Sequence, residues 1–121
     1  MVRDLNFTVK IVVAPTLREP DGLAMSSRNK YLVGDLRRQS LILSQALTKA
    51  RKIVTTARKP VQAARLRATL KGFIEKEPDA RLDYIEFLRP NNLVPVKQVT
   101  PGTQIALAVF IGKTRLIDNA L

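Results

Sequence analysis

Gln104-Ile105-Ala106-Leu107-Ala108-Val109-Phe110-Ile111-Gly112-Lys113-Thr114-Arg115-Leu116-Ile117 decides the architecture. Its first eight residues are almost wholly apolar with β-branched and aromatic members, and Gly112-Lys113 is a two-residue turn signal. Thr114 then resumes the strand pattern, so the segment predicts an antiparallel hairpin. A partner strand lies upstream. After Pro78-Asp79, Leu82, Tyr84, Glu86 and Leu88 alternate with Asp83, Ile85, Phe87 and Arg89 as far as Pro90-Asn91-Asn92, although neither set is wholly apolar. Further upstream the period becomes helical. Leu36, Leu43, Leu47, Ala50 and Val54 recur at spacings of three, four or seven, predicting a helix from about Leu36 to Thr56 with Asp35 favouring its start. A second helix is expected from Pro60, in its first turn, to Glu77, burying Val61, Ala64, Ala68, Phe73 and Ile74. The fold class is therefore α+β: two main helices packed on a small antiparallel sheet of about three strands.

The N-terminal part fits this unit less well. Phe7-Thr8-Val9-Lys10-Ile11-Val12-Val13 reads as a strand whose unbroken second half suits a parallel strand buried on both faces. No βαβ pattern follows to supply neighbours, so the strand is expected to be left over from a sheet lying upstream of Met1. Pro15 to Asn29 is rich in Pro, Gly, Asp, Ser and Asn and reads as a loop, with Pro20-Asp21-Gly22 as a turn.

Bulk properties exclude several functions. The 121 residues suit one folded unit, no apolar run approaches the roughly 18 residues that cross a bilayer, and the start does not read as a signal peptide. Without cysteine or histidine, thiol chemistry, disulfides and the commonest metal ligand and general base are unavailable. No metal ligand is identified. The net charge of +11 suits polyanions, but eleven of the 21 Lys and Arg lie between Gly34 and Lys76, where the pattern is helical. No aromatic residues interleave with them to stack bases, so nucleic-acid binding is the minority reading beside a solvated helix face.

The loop carries the chemistry. Ser26, Ser27 and Arg28 place two hydroxyls and a guanidinium in consecutive positions, groups that bind phosphate oxygens and can stabilise charge developing on a pyrophosphate leaving group. Composition alone favours a plainer role, since Ser-Ser-Arg-Asn ahead of a helix also serves as a cap on an exposed loop.

The segment Pro15-Thr16-Leu17-Arg18-Glu19-Pro20-Asp21-Gly22-Leu23-Ala24-Met25-Ser26-Ser27-Arg28-Asn29, followed by Tyr31-Leu32, resembles the stretch that pantothenate synthetases write as Pro-Thr-Val-Arg-Glu-x-Asp-Gly-Leu-Ala-Met-Ser-Ser-Arg-Asn. Asp83-Tyr84-Ile85-Glu86, Ile111-Gly112 and Thr114-Arg115-Leu116-Ile117-Asp118-Asn119 resemble the closing hairpin of that family, and Met1 to Asn6 its approach to the last strand of the nucleotide-binding domain. The resemblance implies a C-terminal lid on an ATP-dependent, cytoplasmic ligase. In that reaction the pantoate carboxylate attacks the α-phosphorus of ATP, and the amine of β-alanine opens the acyl-adenylate to give pantothenate, AMP and pyrophosphate. It implies nucleotide contacts from Met25, Ser26, Ser27 and Arg28, with Ser26, Ser27 and Arg28 acting catalytically on the phosphates and Mg2+ accompanying them. Leu17 stands at the usually valine position beside the adenine.

The division that follows is residues 1–24 for the last strand and loop of a nucleotide-binding domain and 25–121 for the lid. The family's His-x-Gly-His type motif has no counterpart in a chain without histidine, and its pantoate-binding glutamines and Gly-Glu-Lys-Asp-like segment are not found. The chain by itself is therefore expected to be inactive, its partners being the nucleotide-binding domain and, in a parent dimer, a second copy. The reading set against this is a stand-alone basic module for RNA or another polyanion. The loop from Pro15 to Asn29 is expected to be mobile without its nucleotide, because its polar groups have few internal partners.

Overall fold

The computed structural model describes Val2 and residues 4–121. Its strands are β1 (Val61–Gln62), β2 (Ala80–Leu88), β3 (Gln98–Val99), β4 (Gln104–Ile111) and β5 (Thr114–Ala120). The helices are α1 (Asp35–Ser40), α2 (Ile42–Thr56) and α3 (Ala63–Ile74), preceded by a 3-10 turn over Ser27–Tyr31. The predicted hairpin is β4 and β5. Ile111 pairs with Thr114, and Gly112 takes φ 60° while Lys113 does not enter the left-handed region, which is the type II′ arrangement that suits strand twist.

β4 lies between β2 and β5, antiparallel to both. Ile105, Leu107, Val109 and Ile111 enter the core from one face of β4, and Ala108 on the other is also fully buried, which accounts for the nearly unbroken apolar run. Phe110, on that outer face, lies under the Arg81 guanidinium, 4.6 Å from its ring centroid. The mixed alternation of β2 has a local cause. The register against β4 shifts between Leu82 and Tyr84, a bulge at Asp83 that moves the inward set from Ala80 and Leu82 to Ile85 and Phe87. No simple period of two can show one apolar face across such a bulge.

The helical region from Leu36 to Thr56 is interrupted once, at Leu41. Ser40 Oγ donates to Arg37 O at 2.6 Å, and the Leu41 N–H bonds Arg38 O, tightening the turn between α1 and α2. α2 buries Ile42, Leu43, Ala46, Leu47, Ala50 and Val54. Each large apolar side chain taken from water in this way contributes about 1.5–3 kcal/mol.

The second helix differs from expectation at both ends and in phase. It starts at Ala63, because Val61 and Gln62 pair with Val99 and Gln98, and it stops at Ile74. Its inward face is Ala63, Leu66, Leu70 and Ile74, so Ala64 and Ala68 are exposed, contrary to expectation.

Residues 7–13, expected as a strand, form no ladder. Phe7, Val9, Ile11 and Val13 flank an open groove together with Asn91, Asn92 and Leu93, and Val13 is 89% exposed. The run keeps its apolar, β-branched sequence without a sheet to enter.

Candidate functional site

The loop from Leu17 to Tyr31 folds as a small hairpin followed by the 3-10 turn. Arg18 and Ala24 form an antiparallel bridge, flanked by the Met25 N–H to Leu17 O bond at 2.9 Å and the Glu19 N–H to Leu23 O bond at 2.8 Å. Its tip is Glu19-Pro20-Asp21-Gly22. Pro20 is suited to the second turn position, Gly22 takes φ 97°, which an L side chain resists, and Asp21 Oδ1 accepts the Leu23 N–H. Leu23, beside the hairpin tip, and Leu32, just after the turn, enter the core and pin the loop at its middle and its end.

Two sets of charges bind this hairpin to the helices and the sheet. Asp118 lies opposite Leu107 on the inward register of β5, and its side chain is 1% exposed. A carboxylate there requires a partner, and Arg18 supplies a two-pronged one, with Nη1 to Oδ2 at 2.7 Å and Nη2 to Oδ1 at 2.9 Å. Arg18 Nη1 also donates to Gly22 O at 3.0 Å, joining the hairpin tip to the sheet.

On the other side, Arg37 of α1 donates to Glu19 and, from Nη2 at 2.8 Å, to Asp21 Oδ2. Arg37 and then Asn29 hold the Glu19 carboxyl below its ordinary value through hydrogen bonds to its charged form. Burial pushes the Asp21 carboxyl up, but the Leu23 N–H and Arg37 outweigh it, and the net shift is downward. The expectation of few internal polar partners is thus not met. Arg18, Glu19, Asp21, Asn29 and Arg37 are all engaged.

The predicted site residues form the part of the loop that these anchors leave free. Leu17, Met25, Ser26, Ser27 and Arg28 are all exposed, with Leu17 at 69% and Met25 at 54%. Ser26 caps the 3-10 turn, its Oγ accepting the Arg28 N–H at 3.2 Å, as the capping reading anticipates. The Ser27 hydroxyl and the Arg28 guanidinium meet no partner among the described residues. A hydroxyl and a fork of N–H donors directed outward from a braced turn suit the oxygens of a phosphate chain. No group of three or more His, Cys, Asp or Glu side chains able to hold a metal occurs among the described residues.

Sequence reasoning missed the bracing residues. One signal was present: Asp118 follows Leu116 at strand spacing, which puts a carboxylate on the inward face. Its partner, a hundred residues away, was not legible.

The pantoate-beta-alanine ligase family model matches residues 1–121. The chain belongs to that family.

Among its relatives, the pantothenate synthetase of Anaeromyxobacter dehalogenans (strain 2CP-C) is 51% identical over 119 residues, which are 98% of this chain and 40% of the relative. That of Caldicellulosiruptor saccharolyticus is 45% identical over 98% of this chain and 42% of its own length. The crystal structure of pantothenate synthetase from Thermus thermophilus superposes with a TM-score of 0.83 at 34% identity, covering 98% of this chain and 42% of that one. The chain therefore spans about two fifths of the length of the pantothenate synthetases it matches. What it matches is the C-terminal domain, and the α+β architecture is the one shared with the Thermus structure.

Proposed function

We propose that this chain is the lid of a pantoate–β-alanine ligase and that Ser26, Ser27 and Arg28 hold the phosphates of the ATP substrate. The observation that carries the reading is the exposed Ser27 and Arg28 pair, without a partner among the described residues, on a loop otherwise pinned to the sheet and α1. In the ligase reaction the pantoate carboxylate attacks the α-phosphorus and pyrophosphate leaves; the β-alanine amine then opens the mixed anhydride and AMP leaves. Arg28 and the two hydroxyls stabilise the charge that builds on the departing pyrophosphate without moving a proton. Leu17 and Met25 offer exposed apolar surface for the adenine side of the nucleotide. Mg2+ would travel with the phosphates.

The remaining machinery belongs to a nucleotide-binding domain, so the chain alone binds ATP weakly and does not turn over. We place the joint between the two parts before Arg18 rather than after Ala24, because Leu23 lies in the core and Arg18 pairs with Asp118. A homodimeric parent in the cytoplasm completes the reading. No described helix is long and apolar enough to cross a membrane.

The test is a titration of the isotope-labelled chain with Mg-ATP followed by amide chemical shifts. Saturable shifts are expected at Met25 to Arg28, abolished by Arg28→Gln. Shifts confined to the basic faces of α2 and α3, or unaffected by Arg28→Gln, would sink the reading.

A further inference from the structure

The Met25–Arg28 segment is bracketed by one side chain on either side of it, and these two side chains touch. Asn29, directly after the segment, is nine-tenths buried, although it belongs to an otherwise exposed turn. Its Nδ2 donates to Glu19 Oε1 at 3.0 Å, before the hairpin tip, and to Ala24 O at 3.1 Å, directly before the segment. Both neighbours are acceptors, which dictates the orientation of the amide. Asn29 Oδ1 is buried and meets no hydrogen-bond donor among the described residues. An arrangement that leaves a buried acceptor unpaired costs stability, and here it is tolerated where the amide joins the two ends of a four-residue loop.

From this we propose that Asn29 and Glu19 form a clamp that sets the position of Ser26, Ser27 and Arg28 for phosphate, making both of them positioning residues. The proposal rests on the phosphate-binding reading of that segment. Three constraints define the clamp. Asn29 fixes the end of the segment to its start through Ala24 O, Glu19 holds Asn29 from the opposite strand of the hairpin, and Arg37 of α1 holds Glu19 in turn. Arg37 also offsets the charges of Glu19 and Asp21, two carboxylates that would otherwise oppose an anion nearby. A loop held at both ends presents its donors without first having to be ordered, and displacement of such donors by even 1 Å weakens binding sharply.

The experiment uses the 121-residue chain with inorganic triphosphate as the probe, with affinity read from amide shifts and stability from thermal unfolding. Asn29→Ala removes the clamp without altering charge. It is expected to weaken triphosphate binding about tenfold and to loosen amide protection at Ser26 to Arg28. In a Ser27→Ala background, which keeps the Arg28 guanidinium, Asn29→Ala should weaken triphosphate binding by a smaller factor than in the wild type, while lowering the melting temperature by the same amount in both backgrounds; a purely structural role would not give that split. Glu19→Gln is the second variant and decides the matter should Asn29→Ala fail to fold. It removes a negative charge, so simple electrostatics predicts tighter binding, whereas the clamp, which loses the Glu19–Arg37 ion pair and the charge-assisted hold on Asn29, predicts weaker binding. Wild-type affinity in Asn29→Ala, or tighter binding in Glu19→Gln, overturns the clamp while leaving the phosphate site standing. No shift at Met25 to Arg28 in the wild type, or no effect of Arg28→Gln, overturns the phosphate reading and the clamp with it.

Discussion

At the scale of single residues, Asp118 is the side chain with most at stake. Its carboxylate is sealed beneath Arg18, and removing one partner of a buried pair leaves the other without compensation. Asp118→Ala is expected to lower the unfolding free energy by about 3 kcal/mol, measured by urea denaturation. A loss near zero would mean that Arg18 and water rearrange without cost. Glu19 makes the loop sensitive to pH. Its folded-state value lies below the ordinary 4.5, so its contribution is fully present above about pH 4.5 and is lost as pH falls through the lower folded value. Arg37 stays charged throughout. The Asn29 side-chain amide signals should therefore be constant from neutrality to about pH 4.5 and change only below it; a change centred near pH 6 would contradict the assignment.

At the scale of elements, the β4–β5 hairpin shows how little freedom a turn has. Gly112 stands at φ 60°, and a Cβ built there would meet Leu36 only at an ordinary 3.6 Å. The obstacle to substitution is backbone conformation rather than space. Gly112→Ala is expected to cost about 1 kcal/mol by thermal unfolding, with the fold retained. A larger loss with strand signals disappearing would indicate that this turn also sets the register. α1 is held by its ends and by Gln39, whose fully buried amide spans Asp35 and Asp79 at 2.8 and 2.7 Å. That bridge keeps Arg37 over the hairpin, so a short helix with little apolar surface of its own still serves the site.

For the molecule as a whole, one core joins every element that braces the loop. Leu107, at the centre of the middle strand, is 0% exposed and lies opposite both Ile85 and Asp118. Leu107→Ala should destabilise by about 3–4 kcal/mol through lost burial and the cavity left behind, read from the urea midpoint. A cost below about 1 kcal/mol would mean that the helices collapse onto the sheet and fill the space. The basic middle of the chain also looks different once folded. Arg37 and Arg38 are committed to carboxylates, Arg67 and Lys71 pair with Glu86 and Glu75, and Lys49 lies over Phe73. Carboxylates from elsewhere in the chain offset part of the local excess of this segment, while the net charge of +11 is unchanged.

Sequence by itself determined the hairpin, the first helical run, the α+β class and the exposed Met25 to Arg28 segment, because each rests on local rules of turn chemistry, periodicity or motif. It failed where distant residues intervened. The start and phase of α3 were set by Val61 pairing with Val99, and the bulge at Asp83 hid the inward face of β2. The ion pair between Arg18 and Asp118 and the Glu19–Asn29–Arg37 cluster turned a polar loop into an anchored one. Such contacts join residues from ten to a hundred positions apart. No local pattern encodes them, and only packing against a common core decides which charge finds which partner.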